Sequence, residues 1–253
     1  MFEEFDLTGK KAIVTGGNGG IGRGIALGLA RAGADVVIAA RNQEKTAAMV
    51  EEIVALGRRC LGLSCDVRDR NDIAAVVNAT LEEYGRLNIL VNNAGISAGG
   101  PPQDIAEETW DRVVDTNLKA VLRFSQAVYP AMVAAGGGKI INIGSEYSLF
   151  GSAAVLPYSA SKGGVIQLTK SLAVAWASSN IQVNAIIPGW VRTDMTAPVI
   201  GNQAWYGAIV QRTPAGRFAE PEEMAGTAVF LASAASDFVT GQSIAVDGGY
   251  SVA

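Results

Sequence analysis

Short runs of β-branched and other apolar residues alternate with longer amphipathic runs along most of the 253-residue chain. This alternation is typical of βαβ units, in which helices connect the parallel strands of one sheet. The short runs are almost continuously apolar, which predicts strands that are covered by helices on both faces. We expect seven such strands, at residues 11–15, 35–39, 59–65, 89–92, 139–143, 182–187 and 243–246.

The longer runs predict the helices, at residues 21–32, 43–56, 70–84, 107–135, 158–177 and 221–232. Asp69 and Glu220 stand where the first residues of helices are expected. No repeat or linker divides the chain, which predicts a single α/β domain over residues 1–253. Residues 97–105 and 189–214 lack periodicity. Because long irregular loops in compact domains are often functional, we expect 189–214 to be a substrate-binding loop or lid.

The chain contains no histidine, which excludes several kinds of catalytic site. A Ser-His-Asp triad, a Cys-His pair and a His-ligated zinc site all need imidazole, so proton transfer has to use Tyr, Lys, Asp, Glu or water. Cys60 and Cys65 are too few for a disulfide framework and point to opposite faces of one strand, so we expect no bridge. Asp66, Asp69 and Asp72 lack the spacing of a calcium loop, and no metal is expected.

The charge balance indicates which partners the chain does not have. A formal charge of −4 without a basic block favours neither nucleic acid nor an anionic membrane. Residues 1–10 lack the apolar core of a signal peptide, and polar residues and a proline interrupt the uncharged stretch 171–191. We therefore expect a cytoplasmic protein that acts on a small molecule.

A glycine-rich loop follows the first predicted strand directly. Residues 15–22, TGGNGGIG, satisfy both G-x-G-x-x-G and T-G-x-x-x-G-x-G. Between a strand and a helix, the free N–H groups and the dipole of the helix N-terminus favour a pyrophosphate. The alternative is a turn that needs glycine for its backbone conformation and binds nothing. The flanking strand and helix favour a dinucleotide site.

The end of the second strand indicates which dinucleotide is bound. NAD-binding units usually place an acidic residue there for the ribose 2′-hydroxyl, whereas an arginine accommodates a 2′-phosphate. Arg41 follows the strand and no carboxylate stands at its tip. NADP(H) is therefore favoured over NAD(H), although Arg41 could also be a solvated loop charge and Gly19 supplies no second basic residue.

Tyr158 and Lys162 are four residues apart at the start of a predicted helix, so both lie on one face. An ammonium group near a phenol favours the phenolate and lowers the phenol pKa, which makes tyrosine a usable general acid or base. Ser145 follows a strand carboxyl end, where ligands of open α/β sheets bind. Alone, the Tyr-Lys pair is a weak signal; together with the glycine loop it predicts a redox site.

These features occur with others in a fixed order, and the sequence resembles the classical short-chain dehydrogenase/reductase family over nearly its whole length. The resemblance is carried by Thr15-Gly16, Asp66-Val67, Asn92-Asn93-Ala94-Gly95, Asn117, Ser145, Tyr158, Lys162, Pro188-Gly189 and Asp247-Gly248-Gly249. It implies a single-domain Rossmann fold, with a doubly wound, seven-stranded parallel sheet and helices on both faces.

The resemblance also implies a role for each catalytic residue. Tyr158 would exchange the proton with the substrate oxygen, Ser145 would hydrogen-bond that oxygen, and Lys162 would bind the nicotinamide ribose and lower the Tyr158 pKa. Asn117 would hold a water in a proton relay from Lys162 to solvent. The cofactor-binding residues would be Gly16, Asn18, Gly20, Ile21, Gly22, Arg41, Asp66, Val67, Asn92, Asn93, Ala94, Gly95, Tyr158, Lys162, Pro188, Gly189, Val191 and Thr193. Alternatively, Asp66 and Asn117 cap or bridge backbone and Pro188 ends a strand.

The candidates for substrate contact follow from position and are partly polar, partly aromatic: Ser97, Ser145, Glu146, Tyr147, Leu149, Trp190, Met195 and Trp205. Trp176 resembles members of the family that act on sugar acids and polyols. The resemblance therefore favours NAD(P)-dependent interconversion of a secondary alcohol and a ketone on a small polar substrate. One alternative is reduction of a 3-oxoacyl thioester on an acyl carrier protein, for which no basic cluster is evident. Another is dinucleotide binding without turnover, which does not need the catalytic residues.

Small and apolar residues lie on more than one face of helices 107–135 and 158–177. This distribution indicates burial by a partner subunit. In the family these helices pair across a dimer, commonly within a tetramer. The resemblance thus implies a homotetramer, with residues 250–253 as candidates for a second interface.

Overall fold

Seven parallel strands form one sheet in the computed structural model, which describes residues 2–253. They are β1 Lys11–Thr15, β2 Asp35–Ala40, β3 Cys60–Ser64, β4 Ile89–Asn92, β5 Gly138–Ile143, β6 Ile181–Pro188 and β7 Ser243–Val246. The order across the sheet is β3-β2-β1-β4-β5-β6-β7, and every neighbouring pair is parallel. The predicted strands are confirmed, with ends that differ by one residue.

Helices cover both faces of the sheet. They are α1 Gly20–Arg31, α2 Gln43–Ala55, α3 Arg70–Tyr84, α4 Glu107–Val114, α5 Ala120–Ala134, α6 Leu156–Trp176, α7 Ala197–Ile200, α8 Gln203–Arg212 and α9 Ala225–Ala232. One core lies beneath α1, α2 and α9, the other beneath α3, α5 and α6. Along β1, Val14 enters the first core and Ile13 the second. Because both faces are buried, the strands read as continuous apolar runs, and the doubly wound α/β Rossmann-type fold is confirmed.

Two elements differ from the sequence-based expectation. The single helix expected at 107–135 contains a π-helical turn, Asp115–Lys119, between α4 and α5. The segment 189–214 is not irregular throughout, because it contains α7 and α8. No residue of α8 is buried, so no apolar stripe marks it in the sequence. Its start is fixed by Asn202, whose side chain accepts hydrogen bonds from the N–H groups of Ala204 and Trp205.

The sheet order reverses between β1 and β4, which are neighbours at its centre. Ligands of doubly wound folds bind at such a switch point, outside the carboxyl ends of the strands. The glycine loop follows β1, Arg41 follows β2, and Ser145 follows β5. The topology therefore brings the separate sequence motifs to one edge of the sheet.

Several groups outside this edge have structural roles. Asp69 caps α3 by accepting a hydrogen bond from the Asn71 N–H, as its position in the sequence predicts. Cys60 and Cys65 are free, and burial raises the pKa of both thiols to about 12, so neither is a reactive thiolate. Within residues 2–253, no helix is long and apolar enough to cross a membrane.

Candidate active site

Residues 16–19 form the tight turn between β1 and α1, and residues 20–22 are the first of α1. Gly19, the N-cap of α1, supplies no side chain to bond the first N–H groups of the helix. A Cβ atom on Gly22 would lie 2.3 Å from the Gly16 carbonyl oxygen and 2.4 Å from Nδ2 of Asn93. Glycine is therefore required by close packing, and the uncapped helix N-terminus suits an anion.

Two side chains hold the glycine loop against the end of β4. The Thr15 hydroxyl accepts a hydrogen bond from the Asn93 N–H (2.9 Å), and Nδ2 of Asn93 donates to the carbonyl oxygens of Thr15 (2.9 Å) and Gly16 (3.1 Å). Asn92 is buried and donates to Oδ1 of Asn142 at 2.9 Å. Both predicted cofactor residues, Asn92 and Asn93, thus use their side chains to build the frame of the site.

A cleft of about 280 Å³ opens beside the glycine loop at the carboxyl ends of β2, β3 and β4. The predicted cofactor-binding residues that line it are Gly16, Asn18, Arg41, Asp66, Val67, Ala94 and Gly95. The lining residues that sequence reasoning missed are Ala39, Ala40, Asn42, Lys45, Cys65, Arg68, Ile96 and Thr116. Of these residues, Lys45 and Arg68 could have been predicted, because each is basic and lies within four positions of a predicted cofactor-binding residue.

Charges are distributed unevenly along this cleft. Arg68 donates a hydrogen bond to Asp66 (Nη2–Oδ2 2.6 Å), and this bond is the main cause that lowers the pKa of Asp66 to about 2. Lys45 forms an exposed ion pair with Asp194 at 2.9 Å. Arg41 forms no ion pair with any residue of the described chain, 2–253. Its guanidinium group is free to bind a phosphate.

The segment that follows β6 reaches the glycine loop. A Cβ atom on Gly20 would lie 3.0 Å from Cγ2 of Thr193, so this segment touches the glycine loop. At its start, a Cβ atom on Gly189 would lie 2.6 Å from Cα of Asp247. Pro188 is the last residue of β6. Thr193, a predicted cofactor residue from the second half of the chain, therefore lies next to the glycine loop from the first half.

Ser145, Tyr158 and Lys162 lie together at the carboxyl end of β5. Ser145 begins a short helical turn and is held by its N–H, which donates to the Ser148 hydroxyl at 3.1 Å. Lys162 is buried, with Nζ 2.7 Å from the Ile143 carbonyl oxygen and 5.8 Å from the centroid of the Tyr158 ring. The structure thus brings the three predicted catalytic residues into one site.

The pKa values of this group differ from the expectation. Burial raises the pKa of Tyr158 above its usual value, and a hydrogen bond with Ser145 opposes the rise. Burial also lowers the pKa of Lys162 to about 8. The expectation that Lys162 lowers the pKa of Tyr158 is wrong for this structure, because the Lys162 amine points to the Ile143 carbonyl oxygen and desolvation opposes both charges.

Asn117 lies in the π-helical turn and is fully buried. Its side chain bonds both backbone groups of Ile96, donating to the carbonyl oxygen at 2.8 Å and accepting from the N–H at 2.9 Å. A Cβ atom on Gly95 would lie 3.3 Å from Oδ1 of Asn117 and 3.7 Å from Nζ of Lys162. The backbone-bridging alternative is thus observed, and the relay role of Asn117 stays a prediction.

Aromatic rings form the wall next to Tyr158. Tyr147 packs edge to face against Tyr158 (centroids 6.2 Å apart) and against Trp190 (6.4 Å). The structure therefore places two predicted substrate residues, Tyr147 and Trp190, beside the predicted catalytic phenol. The other predicted contacts on this side are exposed by 51%, 46% and 61%, and their role stays a prediction: Leu149, Met195 and Trp205.

Glu146, directly after Ser145, is only 4% exposed. Burial, reinforced by the negative charge of Asp247, raises the pKa of its carboxyl to about 8, whereas Arg212 acts in the opposite direction. Arg212 stacks on the Tyr250 ring, with Cζ 4.1 Å from the centroid. Asp247 and Arg212 are neighbours of the site that sequence reasoning did not assign to it. Asp247 directly follows β7, and Arg212 is the last residue of α8, a helix that the sequence pattern did not predict.

Comparison with known proteins places the chain in a family. A family model described as enoyl-(acyl carrier protein) reductase matches residues 16–251. The 2-dehydro-3-deoxy-D-gluconate 5-dehydrogenase of Escherichia coli (strain K12) is 44% identical over 251 residues, which are 99% of this chain and 98% of that protein. The chain belongs to the short-chain dehydrogenase/reductase family. This confirms the resemblance seen in the sequence.

Other members of the short-chain dehydrogenase/reductase family are similar over the full length. The 5-keto-D-gluconate 5-reductase of Escherichia coli (strain K12) is 40% identical and both chains are covered completely. A solved gluconate 5-dehydrogenase from Burkholderia cenocepacia J2315, in complex with NADP and tartrate, is 39% identical, with a TM-score of 0.95 and coverage of 99% of this chain and 98% of that chain. The family fold is thus shared from end to end.

Trp176, the residue for which the sequence resembles enzymes that act on sugar acids and polyols, lies away from the site. Trp176, at the end of α6, packs against Tyr129 with ring centroids 4.8 Å apart and belongs to the core. It supports the helices of this face and lies away from the predicted catalytic residues. Its resemblance to sugar-acid enzymes therefore carries no direct information about substrate contact.

Proposed function

We propose that the chain is an NADP(H)-dependent oxidoreductase that interconverts a secondary alcohol and a ketone on a small hydroxylated acid. The observation that carries this proposal is the meeting of Ser145, Tyr158 and Lys162 beside a cleft lined by the glycine loop. A protein that only binds a dinucleotide has no need of these three side chains. The relatives with known names act, by those names, on gluconate derivatives.

The cleft fits a dinucleotide phosphate. The N-terminus of α1 is uncapped, and Gly22 has no side chain that would fill the turn, so a pyrophosphate can approach the backbone there. The free guanidinium of Arg41 lines the cleft after β2, where a 2′-phosphate is expected. A solved relative contains NADP. When bound, the nicotinamide exchanges a hydride with the substrate carbon. Lys162 and the segment 189–193 would hold its ribose and ring, and Asp66 and Val67 would lie beside the adenine.

Tyr158 exchanges the proton that accompanies hydride transfer. In the reductive direction its hydroxyl gives a proton to the carbonyl oxygen, and in the oxidative direction its phenolate takes one from the alcohol. The Ser145 hydroxyl donates a hydrogen bond to the same oxygen and orients it. Lys162, whose Nζ lies 5.8 Å from the centroid of the Tyr158 ring, would return the proton to Tyr158 through a water held by Asn117.

A small acid fits the substrate side better than an acyl carrier protein. The walls combine aromatic rings with the Glu146 carboxyl and the Arg212 guanidinium, which is free of ion pairs within residues 2–253. Arg212 is well placed to attract a substrate carboxylate. The segment 189–214, including α7 and α8, would close over such a substrate.

We also propose that the chain assembles as a homotetramer through α5 and α6. The outer face of α6 carries Val174, which is 83% exposed in the single chain. An exposed apolar side chain on a long helix of small residues favours burial by a second copy.

Absorbance at the reduced-nicotinamide band tests the proposed activity. We expect NADPH oxidation with 5-keto-D-gluconate, and NADP reduction with gluconate and 2-dehydro-3-deoxy-D-gluconate in the reverse direction. A 3-oxoacyl thioester and a simple secondary alcohol complete the panel. Turnover of the thioester in preference to every sugar-derived acid would contradict the proposed substrate class.

A further inference from the structure

The Glu146 carboxyl has no partner in the folded chain. Neither of its side-chain oxygens takes part in a hydrogen bond with any residue from 2 to 253, and Oε1 is buried without one. The residue is the first of the helical turn Glu146–Ser148, so its position is fixed next to Ser145. A buried carboxyl without a hydrogen bond is costly, and such groups are usually kept for a ligand or a catalytic role.

The groups around Glu146 determine its charge. Tyr147 on the same turn and Tyr158 on α6 are neutral near pH 7, and Asp247 after β7 is negative. Arg212 of α8 is the facing cation, but it stacks on Tyr250 and forms no ion pair with Glu146. Burial and Asp247 together raise the pKa of Glu146 to about 8. At pH 7 the carboxyl is therefore mostly protonated, with one O–H donor and one carbonyl acceptor.

The surroundings limit what this neutral carboxyl can bind. The next residue, Tyr147, packs against Trp190, whose indole Nε1 is also buried without a partner. Two unpartnered polar atoms thus lie in an aromatic wall beside Ser145. Because Asp247 repels anions here, an uncharged hydroxyl suits Glu146, whereas a substrate carboxylate is better placed toward Arg212.

We infer that Glu146 is a specificity-determining residue that hydrogen-bonds, as a neutral acid, a substrate hydroxyl on the carbon next to the reacting carbonyl. We place it on the adjacent carbon because the Glu146 carboxyl lies close enough to Tyr158 for its charge to raise the pKa of the phenol that meets the reacting oxygen. The inference rests on the proposed function for the reaction at Ser145 and Tyr158.

The test is reduction of a pair of ketones that differ by one hydroxyl, 2-hydroxycyclohexanone and cyclohexanone, with NADPH. Glutamine keeps a donor and an acceptor, so Glu146→Gln should leave the ratio of the two kcat/KM values close to wild type. Glu146→Leu should lower the ratio about tenfold, the size of one neutral hydrogen bond, mainly through KM for the hydroxylated ketone. Glu82→Leu on the exposed face of α3 is the matched control and should change nothing.

Two results overturn the inference. One is an unchanged ratio in Glu146→Leu, and the other is an equal loss in Glu146→Gln, which would show that a neutral donor and acceptor at this position do not determine the preference. If no ketone or keto acid is turned over at all, the proposed function fails and the inference falls with it. Turnover with an unchanged ratio contradicts the inference alone.

A second measurement does not depend on activity and does not need the leucine variant. The infrared difference spectrum of wild type minus Glu146→Gln at pH 7 should contain the C=O band of a protonated carboxyl, and the band should disappear by pH 10. Its absence at pH 7 overturns the inference, because an ionised carboxylate cannot donate a hydrogen bond.

Discussion

At the scale of single residues, we predict that Arg41 decides between the two dinucleotides. We expect Arg41→Ala to raise KM for NADPH by roughly 10- to 100-fold, the usual effect of losing a charge-assisted hydrogen bond, and to leave KM for NADH nearly unchanged. Initial rates with both cofactors measure this. Arg70→Ala, an exposed arginine at the start of α3, is the control. An unaltered preference for NADPH would show that Arg41 does not bind the 2′-phosphate.

Glu146 makes the stability of the chain depend on pH. Its pKa is 4.5 as a reference and about 8 in the fold, so the folded state keeps a proton that the unfolded chain releases. This contribution is present in full below pH 4.5 and is lost as the pH rises through 8. We therefore expect Glu146→Gln to be close to wild type in Tm at pH 5 and to exceed it by roughly 5–15 °C at pH 9.

Thermal unfolding of wild type and Glu146→Gln between pH 5 and pH 9 measures the difference, with Glu82→Gln as the exposed control. A Tm difference that stays constant across this range would contradict the raised pKa. The expectation could not come from the sequence alone. Residue 146 is predicted there as a substrate contact from its place after Ser145, but its burial and its lack of partners depend on Asp247 and Tyr147 packing around it.

At the scale of elements, the glycine loop contains one position that accepts only glycine and another that has room for a side chain. A Cβ atom on Gly22 would clash with the Gly16 carbonyl oxygen, whereas a Cβ atom on Gly19 would have nothing within 4 Å, and the backbone of Gly19 is extended. We expect Gly22→Ala to weaken NADPH binding at least about tenfold by forcing the turn apart. Gly19→Ala should bind NADPH nearly as wild type does.

Fluorescence titration with NADPH measures both variants, and circular dichroism shows whether Gly22→Ala is folded. Equal affinities of the two folded variants would contradict the packing argument. If Gly22→Ala does not fold, replacement of Gly16 by alanine gives the same test, because Gly16 has a φ of +62° and a Cβ there would lie 3.0 Å from Asn93.

The strands and most helices were predictable, because two buried faces and amphipathic connections leave a strong apolar pattern. The π-helical turn was not predictable, because Asp115–Lys119 has the composition of an ordinary helix. What distinguishes it is a tertiary contact, the hydrogen bonds between the Asn117 side chain and the backbone of Ile96. Helix α8 was also missed, because it buries no side chain and its single strong signal is the cap residue Asn202. Tertiary contacts therefore determine the elements that periodicity cannot.

At the scale of the whole molecule, the outer face of α6 should carry the assembly. We expect wild type to sediment at about four times the chain mass of 26.2 kDa. Val174→Asp places a charge on an apolar residue that is 83% exposed in the single chain, and burial of that charge is costly. This variant should sediment as smaller species.

Sedimentation velocity at micromolar concentration measures these masses. Val54→Asp, on the exposed side of α2, adds the same charge away from α5 and α6 and should remain tetrameric. A monomeric wild type, or a Val174→Asp protein with unchanged mass, would contradict the proposed assembly. The interface could be predicted only in outline from the sequence, because small residues mark a packed face but not its partner.

The central claim is that Tyr158 exchanges the proton in an NADP(H)-dependent reaction at this site. The most direct measurement combines NADPH titration with turnover of 5-keto-D-gluconate in wild type and Tyr158→Phe. We expect the variant to bind NADPH within about twofold of wild type and to lose roughly 10²- to 10⁴-fold in kcat, the range of general acid–base catalysis. A Tyr158→Phe enzyme that turns over at the wild-type rate would contradict the mechanism.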